Sequence, residues 1–223
     1  MPRLRPFATL PRRAWRRAQI EWVLRWQIPA YTTIEGWLTG YQAFGLYQLA
    51  RRLPPGAVIV EVGSWKGRST YCLARGLRAG RVIAIDPFDA SGDAESAPGY
   101  SAEQGAQPLY DQFIANLTRL GVRDRVEARR GPSQAFAGTL PKCHLLFIDG
   151  DHSIAGARFD VEQLGRDLLP GGYLCLHDYD PARPDFGPTW VVEHLIVPSG
   201  QYRFVEAFGS LWVAQKHQDQ PTS

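Results

Sequence analysis

From Ala57 onward, short apolar runs alternate with longer amphipathic stretches, and this alternation restricts the chain to one kind of architecture. The runs are Val58–Val62, Arg81–Ile85, Val126–Ala128, Leu145–Ile148 and Tyr173–Leu176, all of strand length. Helix-like stretches separate them at Arg68–Leu77, Leu109–Leu120, Ser153–Leu169 and Thr189–Ile196. The third carries Ala157, Val161, Leu164 and Leu168 along one face and stops at Pro170-Gly171-Gly172. Alternation of this kind requires right-handed crossovers and a mostly parallel sheet covered by helices on both faces. Two further runs, Tyr202–Ala207 and Leu211–Ala214, are separated only by Phe208-Gly209-Ser210, a hairpin-sized turn that adds an antiparallel strand. The expected fold is a Rossmann-like α/β sandwich.

With 223 residues, the chain fits one such domain with an additional arm. Residues 1–25 hold seven arginines (3, 5, 12, 13, 16, 17 and 25) against the single acid Glu21, a local charge of +6. The whole chain carries +3, so the remainder stands at −3 and offers no basic groove for nucleic acid. The reading is an arm over residues 1–30, a body over 31–216 and a tail over 217–223. Trp15, Ala18, Trp22 and Trp26 fall along one approximate helical face of the arm, flanked by Arg12, Arg13, Arg16 and Arg17. That face is expected to pack on the body or on a partner subunit of a homo-oligomer, with an anionic membrane surface as the alternative. No apolar run reaches the ~18–20 residues of a membrane span, and no secretory-type apolar stretch is present. Cys72, Cys143 and Cys175 lie far apart without CxxC spacing and read as small buried hydrophobes. The expected location is the cytoplasm.

In a sheet of this kind, ligands bind beyond the C-terminal ends of the strands. The first strand ends VIVEVGSWKGRST, with Glu61, Gly63 and Gly67 forming a glycine turn into a helix. A dinucleotide site would need a glycine at Trp65, and a phosphate loop would need Gly-Lys-Ser/Thr where Gly67-Arg68-Ser69 stands. Asp86, about 20 residues after the turn, is placed to accept hydrogen bonds from a ribose diol. Glycine turn and acid together point to an adenosyl ligand without pyrophosphate, and S-adenosylmethionine fits. After the third strand, Ser133 either bonds the adenine edge or caps a short helix.

The fourth and fifth runs end on ionisable groups: Asp149, Asp151 and His152 in one, His177 and Asp178 in the other. Neighbouring strands would bring Asp149 and Asp178 face to face, where they repel unless a cation or proton lies between them. A hydrated hard ion such as Mg²⁺ satisfies such a pair, and His152 is a candidate general base beside it. The alternative has Asp151 or Ser153 capping the following helix while His152 faces solvent.

EVGSWKGRST, AIDPF, LLFIDGDHS and LLPGGYLCLHDY, with IEGWLTG upstream, resemble the class I S-adenosylmethionine-dependent methyltransferases. Within them they resemble a small-domain group related to macrocin and mycinamicin sugar O-methyltransferases, over about residues 33–215. The resemblance implies a seven-stranded sheet with an antiparallel last strand. It implies cofactor binding by Gly36, Glu61, Gly63, Ser64, Gly67, Ser69, Asp86, Phe88, Ser133 and Asp149. It also implies catalysis by His152 with Asp149, and a metal held by Asp149 and Asp178. One departure is His177, where the macrolide-sugar enzymes carry an acid; imidazole suits Zn²⁺, Fe²⁺ or Mn²⁺-like ions better than Mg²⁺. His177 thus joins the candidate ligands, or stays outside a two-carboxylate Mg²⁺ site, or no metal binds.

The expected activity is methylation of a hydroxyl on a sugar or natural-product small molecule, assisted by a divalent metal, most simply Mg²⁺. Two alternatives remain: a non-catalytic S-adenosylmethionine-binding scaffold, and an oxygenating enzyme like the cephalosporin-hydroxylase-like relatives. The aperiodic loops Phe88–Pro108 and Tyr179–Pro188 are candidate lids, with Tyr100 and Tyr110 as acceptor contacts.

Overall fold

The computed structural model describes residues 12–93 and 96–218. Arg3, Arg5 and most of the expected tail therefore lie outside the described residues. Seven strands form one sheet: β1 (Ala57–Val62), β2 (Gly80–Asp86), β3 (Val126–Arg130), β4 (Cys143–Ile148), β5 (Leu168–Leu176), β6 (Tyr202–Phe208) and β7 (Leu211–Lys216). Their order is β3-β2-β1-β4-β5-β7-β6, and β7 runs antiparallel to both of its neighbours. The chain leaves β1 toward one edge and returns at β4 toward the other, so a crevice opens beyond the C-terminal ends of β1 and β4.

Register decides what surrounds that crevice. Val62 pairs with both Ile85 and Ile148, and Ile148 pairs with Leu176. The next residues along the chain are Gly63, Asp86, Asp149 and His177, which therefore reach the rim at one level. Beneath them the strands alternate between two apolar layers. Ile59, Leu145 and Phe147 pack on one face with Leu46, Leu73 and Phe113. Val60, Leu146 and Ile148 pack on the other with Ala157, Leu164 and Val191.

Helices α1 (Arg12–Trp22) and α2 (Gly40–Arg52) precede the sheet. α3 (Arg68–Gly76) and α5 (Leu109–Arg119) follow the sequence reading closely. The loop Phe88–Pro108 is not without structure: it contains α4 (Ala97–Glu103), two turns whose Tyr100 packs on Trp37 and Trp65. Tertiary packing creates that helix, because seven residues with two glycine or proline positions carry too little propensity to form it alone. The single helix expected over Ser153–Leu169 is instead α6 (Ile154–Phe159), a π-helical turn Asp160–Leu164 and a 3₁₀ turn Gly165–Asp167. Pro170-Gly171-Gly172 does not stop it; β5 already begins at Leu168 and carries these residues through a register shift against β4. After α7 (Gly187–Val191), another π turn spans Val192–Ile196.

The arm is helical, but its tryptophan face does not pack on the body. Val23 and Ile28 are buried and Ile20 and Leu24 pack beside them, while Trp15, Trp22 and Trp26 stay 61%, 54% and 62% exposed. Arg16 ties the helix down through Glu206 and the Tyr41 hydroxyl. Among the described residues, no helix is long and apolar enough to cross a membrane.

Candidate active site

A cavity of about 900 Å³ occupies the crevice, a size suited to a cofactor together with a small acceptor. Gly36, Gly63, Ser64, Ser69, Asp86 and Ser133 line it from the cofactor set, and Asp149, His152, His177 and Asp178 line it from the acidic rim. Three residues of the expected cofactor set stand behind the wall. Glu61 is fully buried under the turn, Gly67 packs near Phe113 and Leu117 at the start of α3, and Phe88 is wedged against Tyr110 and Phe113. Tyr110 is likewise a packing partner of Phe88, whereas Tyr100 is on the wall.

The glycine turn is held by carboxylates from below. Asp86 accepts hydrogen bonds from the backbone N–H groups of Ser64 (2.9 Å), Trp65 (2.8 Å) and Phe88 (2.6 Å). A carboxylate has about four lone-pair positions, so one remains for a ribose hydroxyl where the diol reading supposed two. Burial raises the Asp86 pKa, opposed by those three N–H donors. Glu61 accepts from the Ser64 and Thr70 hydroxyls through Oε2, while its buried Oε1 has no partner. Burial pushes Glu61 up to about 7 against the Ser69, Thr70 and Ser64 hydroxyls.

Gly63 adopts a φ of 83°, and a Cβ there would lie 1.9 Å from the Asp149 carbonyl oxygen. Gly63→Ala is therefore expected to destabilise the fold by about 2–4 kcal/mol and to cost cofactor affinity, since strand ends β1 and β4 must separate. Thermal unfolding with S-adenosylhomocysteine calorimetry checks this; an unchanged midpoint would contradict it. Backbone strain collects on the same wall. Trp65, Ala90 and Asp178 have φ of 48°, 59° and 58°, conformations that non-glycine residues keep only when their surroundings impose them.

At the acidic rim, ligand-type atoms of Asp149, His152 and Asp178 all lie within 4.8 Å of one another. His152 Nε2 is 3.3 Å from Asp178 Oδ2, buried, and without an aligned hydrogen bond. Its Nδ1 meets Ser96 Oγ at 3.0 Å and Asp93 Oδ2 at 3.3 Å, and Phe186 packs on the ring at 5.2 Å. Burial lowers the His152 pKa, but Asp178, Asp149 and Asp93 together hold it above the ordinary value. The solvent-facing alternative for His152 does not occur: Ser153 caps α6 by accepting from Gly156 N–H, and the imidazole still turns inward.

His177 is not one of that cluster of three. Its Nδ1 sits 3.1 Å from both Asp149 Oδ1 and Asp178 Oδ2, near enough for charge pairing but not aligned for a hydrogen bond. Burial alone would lower its pKa, yet the two carboxylates push it to about 10, and the Asp178 carboxyl is held well below its usual range. The ring stands as a counter-ion between the two aspartates, beside the group of three whose ligand atoms converge.

Sequence reasoning missed Asp93, Ser96, Trp37, Phe186 and Asp160, all on the cavity wall except Asp93, which touches His152 from behind. Trp37, Trp65 and Tyr100 form an aromatic cluster with ring centroids 5.3–5.5 Å apart. Their segments are distant in sequence, so no local spacing announces them.

The sheet order and this crevice define a class I methyltransferase, an enzyme that uses S-adenosylmethionine. The chain belongs to the methyltransferase-domain family, whose model matches residues 60–179, more than half of its length. Solved structures share the fold at low identity. An O-methyltransferase from Bacillus cereus in complex with SAH is 20% identical, with a TM-score of 0.60 over 90% of this chain and 91% of that one. TomG from Streptomyces achromogenes, an O-methyltransferase involved in tomaymycin synthesis and solved with SAM, is 18% identical, with a TM-score of 0.57 over 95% and 92%. Cofactor-bound Rv0187 from MTB is 18% identical, with a TM-score of 0.61 over 95% and 100%.

Proposed function

We propose that the protein transfers the methyl group of S-adenosylmethionine to a hydroxyl of a sugar or other natural-product small molecule. The observation that carries this reading is His152, on the cavity wall with Nε2 beside Asp178 and Nδ1 held by Ser96 and Asp93. An acid or hydroxyl on Nδ1 fixes the tautomer that leaves Nε2 free to accept a proton, an assignment inferred from neighbours. The names of the Bacillus and Streptomyces structures, both O-methyltransferases, support oxygen as the acceptor atom.

Methyl transfer from a sulfonium is an in-line displacement: the acceptor oxygen attacks the methyl carbon, the carbon–sulfur bond breaks, and the hydroxyl proton leaves. The turn at Gly63 and Ser64 and the acid Asp86 would hold the adenosyl and methionine parts of the methyl donor. His152 Nε2 takes the hydroxyl proton. Trp37, Trp65 and Tyr100 exclude water and offer flat faces to the acceptor.

The facing carboxylates of Asp149 and Asp178 fit a hard divalent ion, with His152 Nε2 beside it left for the acceptor proton. Asp149 and Asp178 would hold it, and it would polarise the acceptor hydroxyl. Metal-free protein is accordingly expected to lose at least roughly tenfold in rate and regain it with Mg²⁺. Asp149→Ala should not bind Mg²⁺ by calorimetry. Full activity in chelator would remove the metal from the reading. The oxygenating alternative predicts iron in the purified protein and turnover that depends on oxygen, and the absence of both separates it from methyl transfer. The exposed tryptophans of α1 support a second subunit as their cover, which light scattering of the full chain tests. The overall assignment is tested by calorimetry with S-adenosylmethionine, then by screening hydroxylated sugars and phenols for methyl transfer; absence of cofactor binding would overturn it.

A further inference from the structure

Lys66 takes no part in the chemistry above, yet it is an ammonium side chain with 3% of its surface exposed, its Nζ 5.6 Å from the centre of the Trp65 ring. Burying such a charge is costly unless its donors are used. Nζ donates to the Glu35 carboxylate and, at 2.7 Å, to the carbonyl oxygen of Glu103, the last residue of α4. The first contact contributes little, because the Glu35 side chain is 74% exposed. Its segment is also tied by Arg68, which donates to the carbonyl oxygens of Ile34 (2.6 Å) and Leu38 (3.1 Å). The second contact falls where a helix has free carbonyls and the negative end of its dipole, so a cation there steadies α4. Gln112 adds to that support just beyond, donating to the carbonyl oxygens of Gln104 and Gln107, each at 2.7 Å.

The opposite end of α4 explains why the support is needed. Ser96 holds the N-cap position, but its hydroxyl caps no backbone N–H; Oγ meets His152 Nδ1 at 3.0 Å instead. The helix thereby forgoes the cap that ordinarily stabilises a first turn. Asp93 belongs to the same unit: its carbonyl oxygen accepts from the N–H groups of Ser96 (3.2 Å) and Ala97 (2.9 Å), and its Oδ2 reaches His152. α4 is thus a two-turn strut with the imidazole at one end and the Lys66 ammonium at the other. Resting on the methyl-transfer reading, we propose that Lys66 is a positioning residue: by fixing the Glu103 end of α4, it holds Ser96 and Asp93 against His152.

Nitrogen-15 NMR of the five histidines tests this without an acceptor, the His152 signals being those lost in His152→Gln. Lys66→Met should displace the His152 signals in the same direction as Ser96→Ala. It should also raise amide exchange across α4 roughly tenfold or more, the scale of one hydrogen bond to a charged group. Lys66→Arg, which keeps a cation with several donors, should restore both, and Glu35→Gln should leave both as in the wild type. Unmoved His152 signals in folded Lys66→Met, or exchange raised equally in every element, overturns the inference, since a merely structural lysine would loosen the whole fold. A displacement in Glu35→Gln equal to that in Lys66→Met overturns it too, because the effect would then arise at Glu35. Ser96→Ala tests the same coupling from the other end: coupling is reciprocal, so exchange near Glu103 should rise. No rise there overturns the inference even if Lys66→Met does not fold. Failure of the wild type to bind S-adenosylhomocysteine by calorimetry overturns the methyl-transfer reading instead, and the same spectra still decide the link between Lys66 and His152.

Discussion

Replacement of His152 by Gln is expected to lower kcat by roughly 10²–10⁴-fold, the usual contribution of a positioned general base. S-adenosylhomocysteine affinity should change only a few-fold, because the imidazole faces the acceptor side of the cavity. The pH profile separates this role from a structural one. Asp178, Asp149 and Asp93 hold His152 above its ordinary pKa, so the wild-type rate should rise with pH through a midpoint on the alkaline side of ~6.5. The variant should show no such rise. Asp93 and Ser96 contact the same ring from the loop before α4, so Asp93→Asn should shift that midpoint without abolishing turnover. A variant within tenfold of the wild type, with the same profile, would sink the assignment of His152 as base.

The second large effect concerns stability. His177→Asn leaves Asp149 and Asp178 facing each other without their buried cation, and removal of one partner from such a cluster costs about 3–5 kcal/mol. For a domain of this size that is a fall of about 6–20 °C in thermal midpoint. The pH dependence has a definite sign. The folded pKa of about 10 exceeds the unfolded value near 6.5, so this stabilisation is fully present below about pH 6.5 and is lost as pH rises through about 10. The gap between wild type and variant should therefore narrow steadily over that window. Asp178, whose carboxyl is held low, contributes the opposite limb: its stabilisation disappears as pH falls below the ordinary carboxylate range. Mg²⁺ should raise the variant's midpoint more than the wild type's, since an ion then replaces the lost imidazolium. A gap that does not change between pH 6 and pH 10 would show that His177 is not a buried cation.

These residues also mark how far the sequence could be read. The strands were legible because each is a short apolar run in a regular alternation, and that pattern survives without knowledge of any contact. Gly63, Asp86, Asp149 and Asp178 were legible because they follow those runs, where the chain reaches the rim. The π turn at Asp160 was not, since its sequence continues the helical stripe of Ala157, Val161 and Leu164 without interruption. Nor was α4, which depends on Tyr100 finding Trp37 and Trp65.

The sequence by itself determined the sheet, the crevice and the set of acids and imidazoles delivered to it, because periodicity and strand termini are local properties of the chain. Tertiary structure alone decided which member of that set does what. His177 follows β5 directly and His152 follows β4 by four residues, and their neighbours set them apart: Ser96 and Asp93 flank one imidazole, and two facing carboxylates flank the other. A pKa is a property of surroundings, and those surroundings are assembled from segments tens of residues apart.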